Sequence, residues 1–161
     1  MPVMISVDDA NHQPLSLGSG FFVGEGVIAT NLHVIEGASY GRVKLVGQKG
    51  THEIKGTVGI DERHALALLS GDHKTAPALQ LATSKLPAVG ETVYVVGNRH
   101  GLEGTFSQGI VSGIRTLEQD KLLQITAPIS PGSSGGPVLN ERGEVIGVAV
   151  ATLKSGQNLN C

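Results

Sequence analysis

The chain reads as all-β. Its apolar runs are short, rich in Val, Ile and Leu, and set apart by Gly, Pro, Asn or charged residues at intervals of roughly 8 to 15 residues. Helix start and stop signals are nearly absent. With 23 glycines and 3% aromatic residues among 161 positions, the composition points to many tight turns rather than long helices. A chain of this length makes one ordinary domain, or two small barrels packed as one unit.

Each element follows from that pattern. Phe21-Phe22-Val23 and Val27-Ile28-Ala29-Thr30 flank Gly24-Glu25-Gly26, the arrangement of a hairpin. Residues 43–46, 51–60 and 66–69 continue the first half as strands. Gly71-Asp72-His73-Lys74-Thr75-Ala76-Pro77 then breaks the apolar pattern with charge and a proline, so a boundary is expected there, between an N-terminal unit at 1–74 and a C-terminal unit at 75–161. Strands of the second unit are expected at 91–97, 104–114, 121–127, 137–139 and 144–153.

Composition excludes several function classes. A formal net charge of −2 and no basic cluster leave no general attraction to nucleic acid or to an anionic membrane. The one cysteine, Cys161, is the last residue, so no internal disulfide and no Cys/His metal site is expected. Neither a charged-then-apolar leader nor an apolar run near 18 residues is present in the chain, so no secretion signal and no membrane span is expected. No cofactor is called for.

The stretch that carries chemistry is Gly132-Ser133-Ser134-Gly135-Gly136-Pro137. A serine hydroxyl becomes a nucleophile when a base takes its proton, and the oxyanion that follows needs preorganised donors. Glycines on both sides leave the backbone uncovered, so the amides of Gly132 and Ser134 can converge on a carbonyl oxygen while the Ser134 hydroxyl attacks its carbon. A Gly/Ser turn joining two strands has the same composition, and the loop alone leaves both readings open. Six histidines are candidate bases: His12, His33, His52, His64, His73 and His100. His33 is the best placed, because Thr30-Asn31-Leu32-His33-Val34 directly follows a strand, where a polar side chain is held at the rim of a rigid sheet.

Several motifs occur together in one order: Gly18-Ser19-Gly20-Phe21, Thr30-Asn31-Leu32-His33-Val34, Val96-Gly97-Asn98, Gly101-Leu102, Ser107-Gln108-Gly109-Ile110-Val111-Ser112 and Pro131 to Pro137. In this the chain, from about residue 3 to residue 160, resembles the HtrA/Deg branch of trypsin-like serine proteases. The resemblance implies two antiparallel six-stranded β-barrels with the active site between them, His33 as general base, Ser134 as nucleophile, polypeptide substrates and an extracytoplasmic, bacterial periplasmic compartment. Oligomeric state does not carry over, and no room is left for the peptide-binding PDZ domain such proteins usually carry.

One position departs from the family. Its acid is the second aspartate of Asp-x-x-x-Asp-aliphatic-Ala-aliphatic-aliphatic, and here the run is Asp61-Glu62-Arg63-His64-Ala65-Leu66-Ala67-Leu68-Leu69, which puts Ala65 at the triad position. The buried acid normally fixes the imidazole tautomer and favours the imidazolium formed when the serine proton is taken; alanine does neither. Asp61 is four residues away, roughly 13 Å of extended chain, and neither it nor Glu62 nor His64 is expected to replace the acid. An inactivated protease and a natural pseudoprotease, a peptide-binding or scaffold module, both fit; the otherwise intact site favours the first.

Other chemistries fit less well. Gly132-x-Ser134-x-Gly136 satisfies the nucleophile elbow of α/β-hydrolases, but no histidine follows Ser134, as that class requires. No motif sets Lys85, Lys121 or Lys154 beside the serine, and the spacing of His64 and His73 with Asp61 and Asp72 matches no metal site. By resemblance, a peptide pairs with the edge formed by residues 147–152, Val148 among them, and Ile129, Ala149, Val150 and Ala151 line the primary pocket. No acid sits among them, so small or medium aliphatic side chains are expected before the scissile bond.

Overall fold

The computed structural model describes residues 2–71, 78–82, 87–98, 104–117 and 120–150. The boundary expected at 74/75, His73, His100, Lys85, Lys154, Gly101-Leu102 and Ala151 lie outside the described residues.

Six strands close a first barrel in the order β1-β2-β3-β6-β5-β4. They are β1 (Pro2–Asp8), β2 (Pro14–Gly24), β3 (Val27–Asn31), β4 (Tyr40–Leu45), β5 (His52–Asp61) and β6 (Leu66–Gly71). Period-2 alternation drives the closure: in β1, Val3, Ile5 and Val7 are buried while their neighbours are half-buried, so one face of the strand is the core face. Those residues pack with Phe22, Ile28, Val43, Leu45 and Leu69. The expected hairpin is β2 and β3, paired from Gly20↔Thr30 to Gly24↔Val27.

The second unit is a five-stranded antiparallel sheet, order β11-β10-β7-β8-β9, among the described residues, where six strands were expected. Its strands are β7 (Thr92–Gly97), β8 (Thr105–Leu117), β9 (Asp120–Ile125), β10 (Pro137–Leu139) and β11 (Val145–Val148). Val93, Val95, Val111, Leu123, Ile125 and Val138 form its core. β11 ends at Val148, and residues 149 and 150 of the strand expected over 144–153 are not in it: Ala149 N–H donates to Gly136 O and Ala149 O accepts from Gly135 N–H, while residues 151–153 lie outside the described residues. Phe21 and Ala29 of the barrel meet Val145 of the sheet in a third, smaller cluster, and this seam positions the site.

The one α-helix among the described residues is short. α1 (Leu32–Ile35) follows β3 without a gap, with Asn31 as its N-cap. Val34 is buried in the barrel core, which holds the helix down on one side and leaves the opposite side to solvent.

Candidate active site

Two segments converge on β2. Pro131–Ser133 form a 3₁₀ turn that delivers Ser134, and α1 carries His33. His33 therefore stands in a helical turn rather than at a strand rim, a correction forced by the Asn31 cap, whose Oδ1 accepts the His33 N–H at 3.0 Å. The two segments share a neighbour in Gly18: a Cβ there would lie 2.6 Å from the Val34 side chain and 3.2 Å from Ser134 O.

The 132–136 loop is bonded to its surroundings peptide by peptide. Gly132 O accepts from Ser19 Oγ at 2.8 Å, and Ser133 N–H donates to Ser130 O at 2.9 Å, so both ends of the 132–133 peptide are fixed. The 134–135 peptide is fixed likewise, by Ser19 N–H to Ser134 O and Gly135 N–H to Ala149 O, each 2.8 Å. Between them, Ser133 O accepts from Gly136 N–H at 3.0 Å. Because a trans peptide is planar with its N–H opposite its C=O, this turns the Ser134 N–H to the other face. Gly135 holds φ +91°, and a Cβ there would run into Ser19 O and Thr30 Oγ1, so glycine is required by both backbone and space.

His33 is held differently. Its Nδ1 lies 3.2 Å from Glu36 Oε2, and both side chains are exposed, 72% and 71%. Position 65 is close by: Ala65 O accepts from Leu32 N–H at 2.7 Å, and Leu66 pairs with Asn31 across β3 and β6. Ala65 has φ +54°, a left-handed conformation in which Asp and Asn are enriched over alanine. Asn31 is fully buried, and its Nδ2 is the one buried side-chain polar atom without a hydrogen bond among the described residues.

Asp61 is occupied elsewhere. His64 Nδ1 lies 2.7 Å from Asp61 Oδ2, and the His64 N–H donates to Asp61 Oδ1 at 3.1 Å. These bonds, the side-chain one first, hold the Asp61 carboxyl below its ordinary value. The remaining expected positions scatter. Ile129 is half-buried against the second core and Ala149 fully buried in it, Val148 packs at the seam cluster and Val150 is half-buried. Val145, at the start of edge strand β11, is already paired: its N–H donates to Gln80 O, and its O accepts from Ala82 N–H. An apolar groove of about 680 Å³ opens along the seam, lined by residues such as Ile60, Leu68, Leu81 and Val148; neither His33 nor Ser134 lines it. Among the described residues no three His, Cys, Asp or Glu side chains group as a metal site, and no helix is long and apolar enough to cross a membrane.

Two residues with evident roles escape local sequence reading. Ser19 reaches the loop from 113 positions away, and its only sequence signal is its place in Gly18-Ser19-Gly20-Phe21. Glu36 meets His33 as an i,i+3 pair, a relation visible only once residues 32–35 are known to be helical.

A serine loop locked on a two-barrel seam is the arrangement of trypsin-like peptidases, and the model of the trypsin-like peptidase domain matches residues 18–148. The chain belongs to that family. It is an HtrA-type domain: it is 40% identical over 146 residues to a DegP-like periplasmic serine endoprotease of Pseudomonas fluorescens, covering 87% of this chain and 30% of that protein. The solved structure of a serine endoprotease from Yersinia pestis superposes with a TM-score of 0.83 at 29% identity, over 98% of this chain and 56% of that one. The anti-sigma-I factor RsgI9 of Acetivibrio thermocellus is 30% identical over 159 residues, covering 98% of this chain and 22% of that protein. The trypsin-like domain thus spans about a third or less of these two curated relatives.

Proposed function

We propose that this HtrA-type domain is a serine endopeptidase domain whose turnover is severely reduced by alanine at position 65. His33 Nε2 takes the Ser134 hydroxyl proton as Oγ attacks the peptide carbonyl carbon, and the N–H groups of Gly132 and Ser134 receive the oxyanion. The imidazolium then protonates the leaving amine, and water activated by the same imidazole hydrolyses the acyl-enzyme. The observation that carries this reading is the hold on the Ser134 main chain, whose carbonyl accepts the Ser19 N–H while its neighbours in the loop bond Ser19 Oγ, Ser130 and Ala149, so that the serine is fixed between the barrel and the sheet. A polypeptide substrate pairs with the edge of residues 147–152, with Ile129 and residues 149–151 around a side chain of small or medium aliphatic size. The domain boundary falls near 74/75, and the compartment is extracytoplasmic, in line with the periplasmic relative.

Placing aspartate at 65 is the test. Ala65→Asp raises kcat/KM on a library of peptides by orders of magnitude, up to roughly 10⁴-fold, the scale on which a triad acid matters in a trypsin-like enzyme. The left-handed backbone at 65 accepts aspartate. A variant that cleaves no peptide and does not react with a serine-directed phosphonate overturns the proposal; cleavage mainly after lysine or arginine overturns the specificity alone.

A second reading, a peptide-binding module without catalysis, is favoured by one observation: the His33 ring is bonded to an exposed carboxylate on the solvent side. A relative named for anti-sigma activity is compatible with it. The Ala65→Asp experiment separates the two.

A further inference from the structure

Glu36 Oε2 lies 3.2 Å from His33 Nδ1, and among the described residues neither side chain has another polar partner. The backbone that presents the pair is fixed at both ends. At the start of the turn, Asn31 Oδ1 accepts the His33 N–H at 3.0 Å, and the Leu32 N–H donates to Ala65 O at 2.7 Å. In the middle, Val34 is buried in the barrel core. At the far end Glu36 is the C-cap and Gly37 follows at φ +75°, the left-handed glycine that stops a helical turn, while the Ala38 N–H closes on Ile35 O at 3.1 Å. Residues three apart in such a turn share a face. Contacts that involve neither side chain therefore bring the imidazole beside the carboxylate.

We infer that Glu36 is a positioning residue for His33, doing from the solvent side part of what an acid at position 65 would do. The inference rests on the protease reading above. A neutral imidazole carries one N–H, and the hydrogen bond made by one ring nitrogen decides which nitrogen holds the proton. An ionised carboxylate only accepts, so Glu36 Oε2 places that proton on Nδ1 and leaves the Nε2 lone pair as the base. When the Ser134 O–H bond breaks and its proton passes to Nε2, the imidazolium so formed already has its counter-charge beside it. An exposed pair contributes little to stability, but choosing between two tautomers of similar energy takes little. The ring's orientation is left to an exposed side chain, and for that reason Glu36 supports slow turnover only, where a triad acid is worth far more.

The experiment uses the parent chain, with alanine at 65. Imidazole nitrogen chemical shifts, assigned to His33 by comparison with a His33→Gln variant, show the Nδ1–H tautomer of the neutral ring in the parent and a mixture of tautomers in Glu36→Ala. Glu36→Gln, which keeps the side chain's length and removes its charge, slows phosphonate labelling of Ser134 about threefold, the scale of an exposed ion pair. In the Ala65→Asp protein, where the carboxylate at 65 sets the tautomer, Glu36→Ala leaves the His33 shifts unchanged. Mixed tautomers in the parent, an Nδ1–H tautomer that survives Glu36→Ala, or a Glu36→Gln protein labelled at the parental rate each overturn the inference. A parent that resists the phosphonate while Ala65→Asp reacts overturns the role of Glu36 and leaves the protease reading standing; if neither reacts, both fall.

Discussion

The 132–136 loop and the helix that carries His33 both approach β2 at Gly18, but they are held by opposite means. Around the loop, Ser19, Ser130, Gly136 and Ala149 hold the chain by bonds to backbone or to a buried hydroxyl. Around His33 the ring is bonded to one carboxylate that is itself 71% exposed, and position 65 presents a methyl group. A buried hydrogen bond strengthens in low dielectric and is costly to break, whereas an exposed pair is worth little and competes with water. The two halves of one proposed site therefore differ in rigidity before any substrate arrives. On the proposed reading, alanine at 65 relaxes only the half whose side chain has to be oriented; the loop is set by contacts that do not pass through residue 65.

Ala65→Asp tests that asymmetry from the base side, and the strongest test from the loop side is Gly135→Ala. Gly135 sits at φ +91° with no space for a Cβ between Ser19 O and Thr30 Oγ1. Backbone strain and the clash together cost more than about 3 kcal/mol, read as a large drop in the urea midpoint together with loss of phosphonate labelling at Ser134. A midpoint equal to the parent's would mean that the loop is softer than its hydrogen bonds imply, and the contrast with His33 would collapse.

Smaller in size is the effect of Glu36. In the Ala65→Asp protein two carboxylates compete for His33 Nδ1, one in the turn before β6 and one three residues on, at the C-cap of α1. Glu36→Gln weakens the outward competitor, so kcat/KM rises by up to roughly threefold, the range of an exposed ion pair. A fall instead of a rise would show that Glu36 supports the base, and would narrow the difference between the two segments.

The strands were legible because burial alternates along them: Val93 and Val95 inward, Thr92 and Tyr94 outward is a pattern any reader of period two can find. β1 carries the same alternation at residues 2–8 and was still not among the expected strands, and the start of β2 was hidden by Gly18-Ser19-Gly20, which has the composition of a turn. α1 is too short for a helical period to register, leaving the Asn31 cap as its only trace. Ser134, Gly132, His33 and position 65 were visible through motif order. Ser19 and Asn98 stand in those motifs too, but their mutual bond, which spans 79 residues, was not legible, since a contact at that separation exists only after the barrel and the sheet have met.

The smallest expected effect concerns acid. Residues 130–137 contain no titratable side chain, so lowering pH has nothing to protonate inside the loop, whereas the turn leading to Ala65 contains the Asp61–His64 pair. Bonds from His64 hold the Asp61 carboxyl below its ordinary value in the folded chain. For a depressed acid the sign is fixed: its contribution to stability is full above the unfolded value, declines as pH falls below it, and is gone once pH has passed through the lower folded value. Asp61→Asn removes that contribution. Its melting temperature should lie slightly below the parent's near neutrality, and the gap should close as pH drops below about 4. Both side chains of the pair are about half exposed, 47% and 50%, which keeps the gap small. Because the loop has no part in this titration, phosphonate labelling of the folded Ala65→Asp enzyme should be the same at neutral pH with and without the added Asp61→Asn substitution. A gap that widens in acid would mean that the pair stabilises the turn by something other than its ionised carboxylate, and that the base-side turn is held as firmly as the loop.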